Sequence, residues 1–469
     1  MNAYNRTKII CTIGPSSETK QVLKKMVQAG MDAVRLNFSH GTYDQFASII
    51  KIIRQISKEE GREIGIIQDL QGPKIRIGDL PKAGVPVKEG DTVILSIVKA
   101  PGTIPVQYKF LPHDVKKDDL ILIADGLIEL QVLEVNKAKT QITCKTTVGG
   151  LIEAHKGINV PTASINAPAL TKKDKEDVVF GAKAGVDYVA LSFVRDVGDI
   201  HELRGILRKL KSTADIIAKI ERHEALNNLD EIVKASDAIM IARGDLGVEI
   251  PAEQVPIVQK KLIHVCNTYG KPVIVATHML ASMVDNPRAT RAEISDAANA
   301  IFDHADAVML SNETAVGKYP VEATRTLQKV ATAVEEDLKK HKELLRLRRP
   351  EEMPITNATC LNATKLAQDI NAAYIVALTR SGYTAREMAK YRPFIPIVVF
   401  SSDINVARKV SIVWGVEHCV VEWIDLKEPL TQVKKRLKEM KLIKSGDEIV
   451  ICNAGFGRRE KLITTTTVE

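Results

Sequence analysis

Eight short apolar runs, rich in valine and isoleucine and each followed by a stretch with helical periodicity, constrain the fold of this chain more than any other feature. They occupy 8–13, 32–38, 64–70, 187–193, 215–221, 238–243, 272–277 and 306–311. Near-continuous apolar strands alternating with helices build a parallel sheet covered on both faces. Eight such units predict a (β/α)8 TIM barrel, an α/β fold.

The pattern breaks between the third and fourth runs. Residues 73–155 hold Gly-Asp turns and alternating stretches at 92–97 and 127–133, which predict a small all-β domain inserted into a barrel loop. Without it, 1–72 and 156–340 leave roughly 260 residues, the ordinary size of such a barrel. A charged stretch at 338–352 then leads into further strand-like runs at 373–378, 396–400, 416–421 and 448–452, so 353–469 is expected to form a separate C-terminal α/β domain.

Composition narrows the class. Aromatics are only 4%, too few for a base-stacking surface, and the net charge of +8 is spread along the chain, so no nucleic-acid partner is expected. The basic cluster at 346–349 runs straight into Pro350, Glu351 and Glu352 and reads as a solvated linker. No apolar run has the length of a membrane span and the N-terminus has no signal-peptide core, so a cytoplasmic protein with no membrane partner is expected. The six cysteines form no C-x-x-C and read as scattered buried thiols.

Barrel enzymes place their chemistry at the C-terminal ends of the strands, and here those ends are polar. Run two ends in Arg35, Asn37, Ser39 and His40; run three in Asp69; run five in Lys219 and Glu221; run six in Arg243, Gly244 and Asp245; run seven in Thr277 and His278; run eight in Ser311 and Glu313. Glu221 and Asp245 are hard oxygen donors suited to Mg²⁺; the alternative for each is an ion pair, with Arg222 or Arg243. Lys219 lies two residues before Glu221, so on a strand both face the same way. An ammonium there suits stabilisation of an enolate or a moving phosphoryl group. Arg35 and Arg76 offer planar forks for phosphate. Further along, the loop Thr379, Arg380, Ser381, Gly382, Tyr383 and Thr384 sits between a strand and a helix. It reads either as a phosphate cradle or as plain capping by Ser381 or Thr384.

The segment 215–226, Asp-Ile-Ile-Ala-Lys-Ile-Glu-Arg-His-Glu-Ala-Leu, is similar to the active-site signature of the pyruvate kinases. The segments 34–41, 72–76, 241–249, 286–293 and 309–315 resemble that family's other motifs, in the family's order. The resemblance implies phosphoryl transfer from phosphoenolpyruvate to ADP, with Mg²⁺ (or Mn²⁺ in its place) on Glu221 and Asp245. Lys219 would stabilise the phosphoryl group and the enolate. Thr277 with the Gly244 and Asp245 backbone would hold the substrate carboxylate, and Arg35 and Arg76 phosphate. Asn37, His40, Arg76, Asp125 and Lys156 would face the nucleotide, and Ser311 and Glu313 would join a proton relay. The resemblance also implies a homotetramer and a phosphorylated effector bound at Thr379–Thr384. Lys219→Met is expected to abolish transfer and leave the fold intact.

Two departures bear on the monovalent cation that many pyruvate kinases need. Asn37, Ser39 and Asp69 match its ligands, but Leu70 stands where Thr is usual and Lys74 where K⁺-requiring members commonly have Glu. A fixed ammonium at Lys74, donating to Asp69, Asn37 or the substrate phosphate, would replace the ion, so K⁺ is expected to be dispensable; the alternative is a Lys74 that snorkels to solvent. His278 and Asn312 are further departures, with a packing or interface role expected for His278. A metal-bearing barrel of another enolate enzyme, such as an aldolase, would lack the insertion and the third region. A non-catalytic relative would have lost Lys219, Glu221, Asp245 or Thr277, all of which are present.

Overall fold

A computed structural model of the chain describes residues 5–341, 345, 347, 353–422, 424–425, 428–454 and 461–469. Most of the linker at 346–352, and the 455–460 part of the last loop, therefore lie outside the described residues.

The eight apolar runs become eight strands, β1 (Lys8–Ile13), β2 (Ala33–Asn37), β3 (Gly65–Asp69), β4 (Tyr188–Leu191), β5 (Asp215–Ile220), β6 (Ala238–Ala242), β7 (Val273–Ala276) and β8 (Ala307–Leu310). Each pairs in parallel with its sequence neighbours, and β8 closes on β1. The expected runs overshoot the strands by a residue or two where polar groups leave the sheet. The covering helices start and stop where local chemistry directs. Thr42 with Gln45, Thr171 with Asp174, and Thr290 with Glu293 each form a reciprocal cap at a helix start.

Side chains fill the barrel rather than leaving a pore. The odd strands contribute Ile10, Ile67, Ile217 and Ile274, and the even ones Ala33, Ala190, Met240 and Met309. Four isoleucines thus come from the odd strands, with two alanines and two methionines between them, so the interior is filled by side chains from alternate strands. Ile412, from the C-terminal region, joins this interior cluster. It enters at the end opposite the polar strand ends, where Tyr188 Oη donates to the Lys409 carbonyl at 2.7 Å and the Gly65 N–H to Ser411 Oγ at 3.1 Å. The segment around 404–413 plugs the floor of the barrel, leaving the other end to the chemistry.

Between β3 and β4 the chain makes a separate sheet of six strands, ordered 158–159, 120–123, 128–135, 141–148, 92–96 and 104–105, with a two-stranded ribbon beside it. Its edges are joined by one short segment: Arg76 bridges Gly157 and Ile77 bridges Val106. That seam turns the sheet into a small closed barrel with its own core around Leu95, Ile121, Leu130 and Ile142. The C-terminal region forms a five-stranded sheet, ordered 416–421, 397–401, 374–378, 448–453 and 462–467. Its last strand runs antiparallel and was not among the expected runs. Among the described residues no helix is long and apolar enough to cross a membrane, and the six cysteines are free thiols.

Candidate active site

The polar strand ends converge on one mouth of the barrel. At its centre, Lys219 Nζ lies 2.8 Å from Glu221 Oε1 and 3.1 Å from Asp69 Oδ1, and donates to Ser192 Oγ at 2.8 Å. Asp69 is shared with Arg35, whose Nε donates to Oδ2 at 2.6 Å while Nη1 donates to Thr12 Oγ1 at 3.2 Å. The ends of β1, β2, β3, β4 and β5 are thereby tied into one network of two cations, two carboxylates and two hydroxyls. The carboxylates are 1% exposed, so their charges persist only because partners are held against them.

The ionisation of the cluster follows from this. Burial by itself would lower the Lys219 ammonium, but Asp69 and Glu221 outweigh it and hold the group above the usual lysine value. Burial pushes the Asp69 carboxyl up, and Arg35 with Lys219 more than reverses that, leaving it below the usual range. Glu221 goes the other way: burial raises it, Lys219 opposes, and the nearby Asp245 raises it further. Glu221 and Asp245 therefore face each other as like charges. Neither takes the arginine partner that is the alternative to a metal. Glu221 Oε2 accepts the Phe193 N–H at 2.7 Å, Arg222 approaches Glu224 at 3.7 Å and sits over the Phe193 ring, and Arg243 pairs with Asp296 at 2.7 Å. Of the charged groups at the mouth, Glu221 has Lys219 and Asp245 has Lys74.

At the ends of β6 and β7, the Gly244 N–H donates to Thr277 Oγ1 at 2.7 Å, and that hydroxyl donates to the Ala276 carbonyl at 2.6 Å. Thr277 and His278 both have positive φ, 69° and 54°. A β-branched residue there is strained. The strain is held by Arg243, which donates to the carbonyls of Ala276 and Thr277. The Thr277 hydroxyl thus links the first turn after β6 to the end of β7. The His278 side chain is exposed. Glu313 is buried with both oxygens accepting backbone N–H groups, of Leu280 and Ser311, so it braces the loops after β7 and β8.

Lys74 differs from expectation. Its ammonium lies 3.4 Å from Asp245 Oδ1, not at Asp69 or Asn37. Asp69 is already enclosed by Arg35 and Lys219, and Asn37 Oδ1 accepts the Ser39 N–H. The buried Leu70 lends backbone groups alone: its carbonyl accepts from Ser192 Oγ at 2.8 Å and its N–H donates to the Ala190 carbonyl at 3.0 Å. At the root of the insertion Gly72 has φ +68°, and a Cβ there would meet Ser192 Cβ and the Phe193 ring at 2.8 Å, so only glycine fits beside the end of β4. His40 and Asp125 are exposed, Lys156 pairs with Glu153 at 3.1 Å, and Arg76 donates to the His155 carbonyl. Among the described residues, the His40 N–H donates to the Asn37 carbonyl at 3.2 Å, but no side-chain hydrogen bond joins these four to the mouth.

Thr12, Ser192 and Phe193 belong to the site and are absent from the sequence reading. The polar ends of runs one and four carried the same signal as the other six. In the C-terminal loop, the helix Tyr383–Ala389 begins at Gly382 with no side-chain cap, so capping by Ser381 or Thr384 is not what places those residues. Ser381 and Tyr383 are exposed, while Thr379 and Thr384 are buried.

The sequence matches the family model of the pyruvate kinase barrel domain over residues 4–324 and that of the pyruvate kinase alpha/beta domain over 357–464. It is 44% identical over 464 residues to a pyruvate kinase of Bacillus licheniformis, covering 96% of this chain and 78% of that one. It is likewise 44% identical over 459 residues to pyruvate kinase 2 of a Synechocystis strain, covering 96% and 76%. A crystal structure of a pyruvate kinase from Cryptosporidium parvum superimposes with a TM-score of 0.91 at 34% identity, covering 99% of this chain and 96% of that one. Both the barrel and the C-terminal sheet are matched, and the mouth carries a lysine–carboxylate cluster fit for phosphoryl transfer. The chain is therefore a phosphotransferase that belongs to the pyruvate kinase family.

Proposed function

We propose that the chain transfers a phosphoryl group from phosphoenolpyruvate to ADP in the cytoplasm, as a homotetramer, using Mg²⁺ and no K⁺. The observation that carries this reading is the Lys219 ammonium gripped by Asp69, Glu221 and Ser192, beside a second carboxylate, Asp245. Glu221 and Asp245 fit a divalent ion: they are hard oxygen donors whose mutual repulsion raises Glu221, and a cation shared between them would relieve it. Mn²⁺ has the same ligand preferences. The bound ion supplies charge neutralisation for the phosphate and the enolate oxygen.

The chain's own groups do the rest by position. Lys219 is fixed by three partners and needs no reorganisation as charge develops in front of it. Arg35 is oriented by Asp69 and Thr12, leaving Nη2 for phosphate. Thr277 and the Gly244 N–H hold the substrate carboxylate. The inserted β unit, 73–155, closes as a lid with Arg76, Asp125 and Lys156 on the nucleotide, which His40 and Asn37 meet from the barrel. Closure excludes water, which would otherwise compete as phosphoryl acceptor.

Lys74 supplies a monovalent positive charge at the mouth, tethered to the chain. A second monovalent cation about 4 Å away would be repelled by about 4 kcal/mol at an effective dielectric near 20. The test is ADP-dependent pyruvate formation with Mg²⁺, the only added monovalent cation being a bulky tetraalkylammonium. Full activity is expected, with loss on metal removal and in Glu221→Gln and Asp245→Asn. Strong activation by added K⁺ would sink the K⁺-free reading.

A phosphorylated effector is assigned to the loop Thr379–Thr384, where Arg380, Ser381 and Tyr383 are exposed. It should lower the apparent KM for phosphoenolpyruvate, with a coupling of about 1–3 kcal/mol. Ser381→Glu, which adds a negative charge, should abolish that response. A sugar phosphate or nucleoside monophosphate that still activates this variant as it does the parent puts the site elsewhere.

A further inference from the structure

Lys74 stands where the inserted β unit leaves the barrel, with its ammonium 3.4 Å from Asp245 Oδ1. Both side chains are partly open, 29% and 28% exposed. The lysine stem passes Gly157 on the returning strand, where a Cβ would come within 3.1 Å of Lys74 Cε. The missing side chain leaves the stem a path. Lys219, by contrast, is buried and gripped by three partners. Of the two lysines at the mouth, one is fixed and one is free to swing.

An ammonium and a divalent cation on one carboxylate oxygen repel each other. We propose that Lys74 is an exchangeable counterion. In the metal-free enzyme it neutralises Asp245, and it gives that carboxylate up to the divalent ion, moving to the substrate phosphate in the Asn37–Asp69 region. The proposal rests on the reading of Glu221 and Asp245 as metal ligands. Metal and substrate then favour the same lysine position, so each tightens the other through Lys74. Because Lys74 belongs to the root of the insertion, occupancy of Asp245 is also felt by the β unit above it.

The test is Mn²⁺ binding, read as the electron paramagnetic resonance signal of the free ion, with and without phosphoenolpyruvate. Without substrate, Lys74→Met and Lys74→Gln are expected to bind Mn²⁺ about three- to tenfold tighter than the parent, as loss of a partly exposed competing cation allows. With phosphoenolpyruvate that advantage should shrink or reverse, so substrate tightens Mn²⁺ binding less in the variants than in the parent. Unchanged or weaker substrate-free binding in both variants overturns the proposal. Asp245→Asn and Glu221→Gln separate the two readings. If they bind Mn²⁺ like the parent, the metal assignment falls and the counterion with it. If they lose Mn²⁺ while the Lys74 variants gain nothing, only the counterion role falls.

Discussion

Lys219→Met should lower kcat by about a thousandfold, the scale seen when one preorganised charge or donor is removed from a reacting centre. The KM for phosphoenolpyruvate should change far less, because the ammonium acts mainly on charge that appears in the transition state. The geometry adds a cost that the sequence reading, with its intact fold, does not contain. Lys219 is the cation that Asp69 and Glu221 share, and both carboxylates are buried. Its loss leaves them short of a partner, worth about 3–5 kcal/mol in comparable buried pairs. Part of that returns through Arg35, which stays on Asp69, and through Glu221, already raised towards protonation. Kinetics and thermal unfolding on the same sample separate the two effects. The melting temperature should drop, and saturating Mg²⁺ should recover more of it in the variant than it adds to the parent. Turnover within tenfold of the parent would remove Lys219 from the chemistry.

Arg392→Met should have the largest effect on stability of any change far from the mouth. Arg392 is 3% exposed, and its guanidinium reaches Asp306 through both nitrogens, at 2.8 and 3.2 Å. It also donates to Asn267 Oδ1 and to the carbonyls of His304 and Ala389. Asp306 in turn accepts the N–H groups of Val273 and Trp414. One buried ion pair thus locks the C-terminal sheet region to the starts of β7 and β8. Removing the cation strands Asp306, for a loss of about 3–5 kcal/mol read from denaturant unfolding. Pairing the change with Asp306→Asn should recover part of it, since the stranded charge disappears. A single-variant loss under about 1 kcal/mol would mean that water reaches Asp306 and the lock is not dry.

The sequence made the barrel legible because buried parallel strands leave an unmistakable trace, continuous apolar runs such as 238–242. The strand Leu462–Thr467 left none. Four successive threonines suit a half-exposed edge, and no apolar run marks them. The site was legible to the extent that it lies on strand ends: Lys219, Glu221, Asp69 and Arg35 meet because strands five, three and two bring them together. Thr12 and Ser192 obey the same rule on strands one and four. What sequence could not provide was pairing. Arg243 turns to Asp296, 53 residues away, Lys74 turns to Asp245 across 171, and Ile412 reaches the barrel floor from another region. Such choices depend on which group arrives at contact distance in three dimensions, and local pattern holds no record of that.

The seam at Arg76 and Ile77 has a consequence for solubility. An inserted β sheet would ordinarily carry two raw edges, rows of unsatisfied N–H and C=O groups ready to pair with a neighbouring molecule. Here the edge strands at 104–105 and 158–159 are stitched to the same short segment. The unit therefore takes its edges out of circulation internally, whatever its distance from the barrel. A neighbouring molecule finds no open edge of that six-stranded sheet to extend, which removes one route to aggregation.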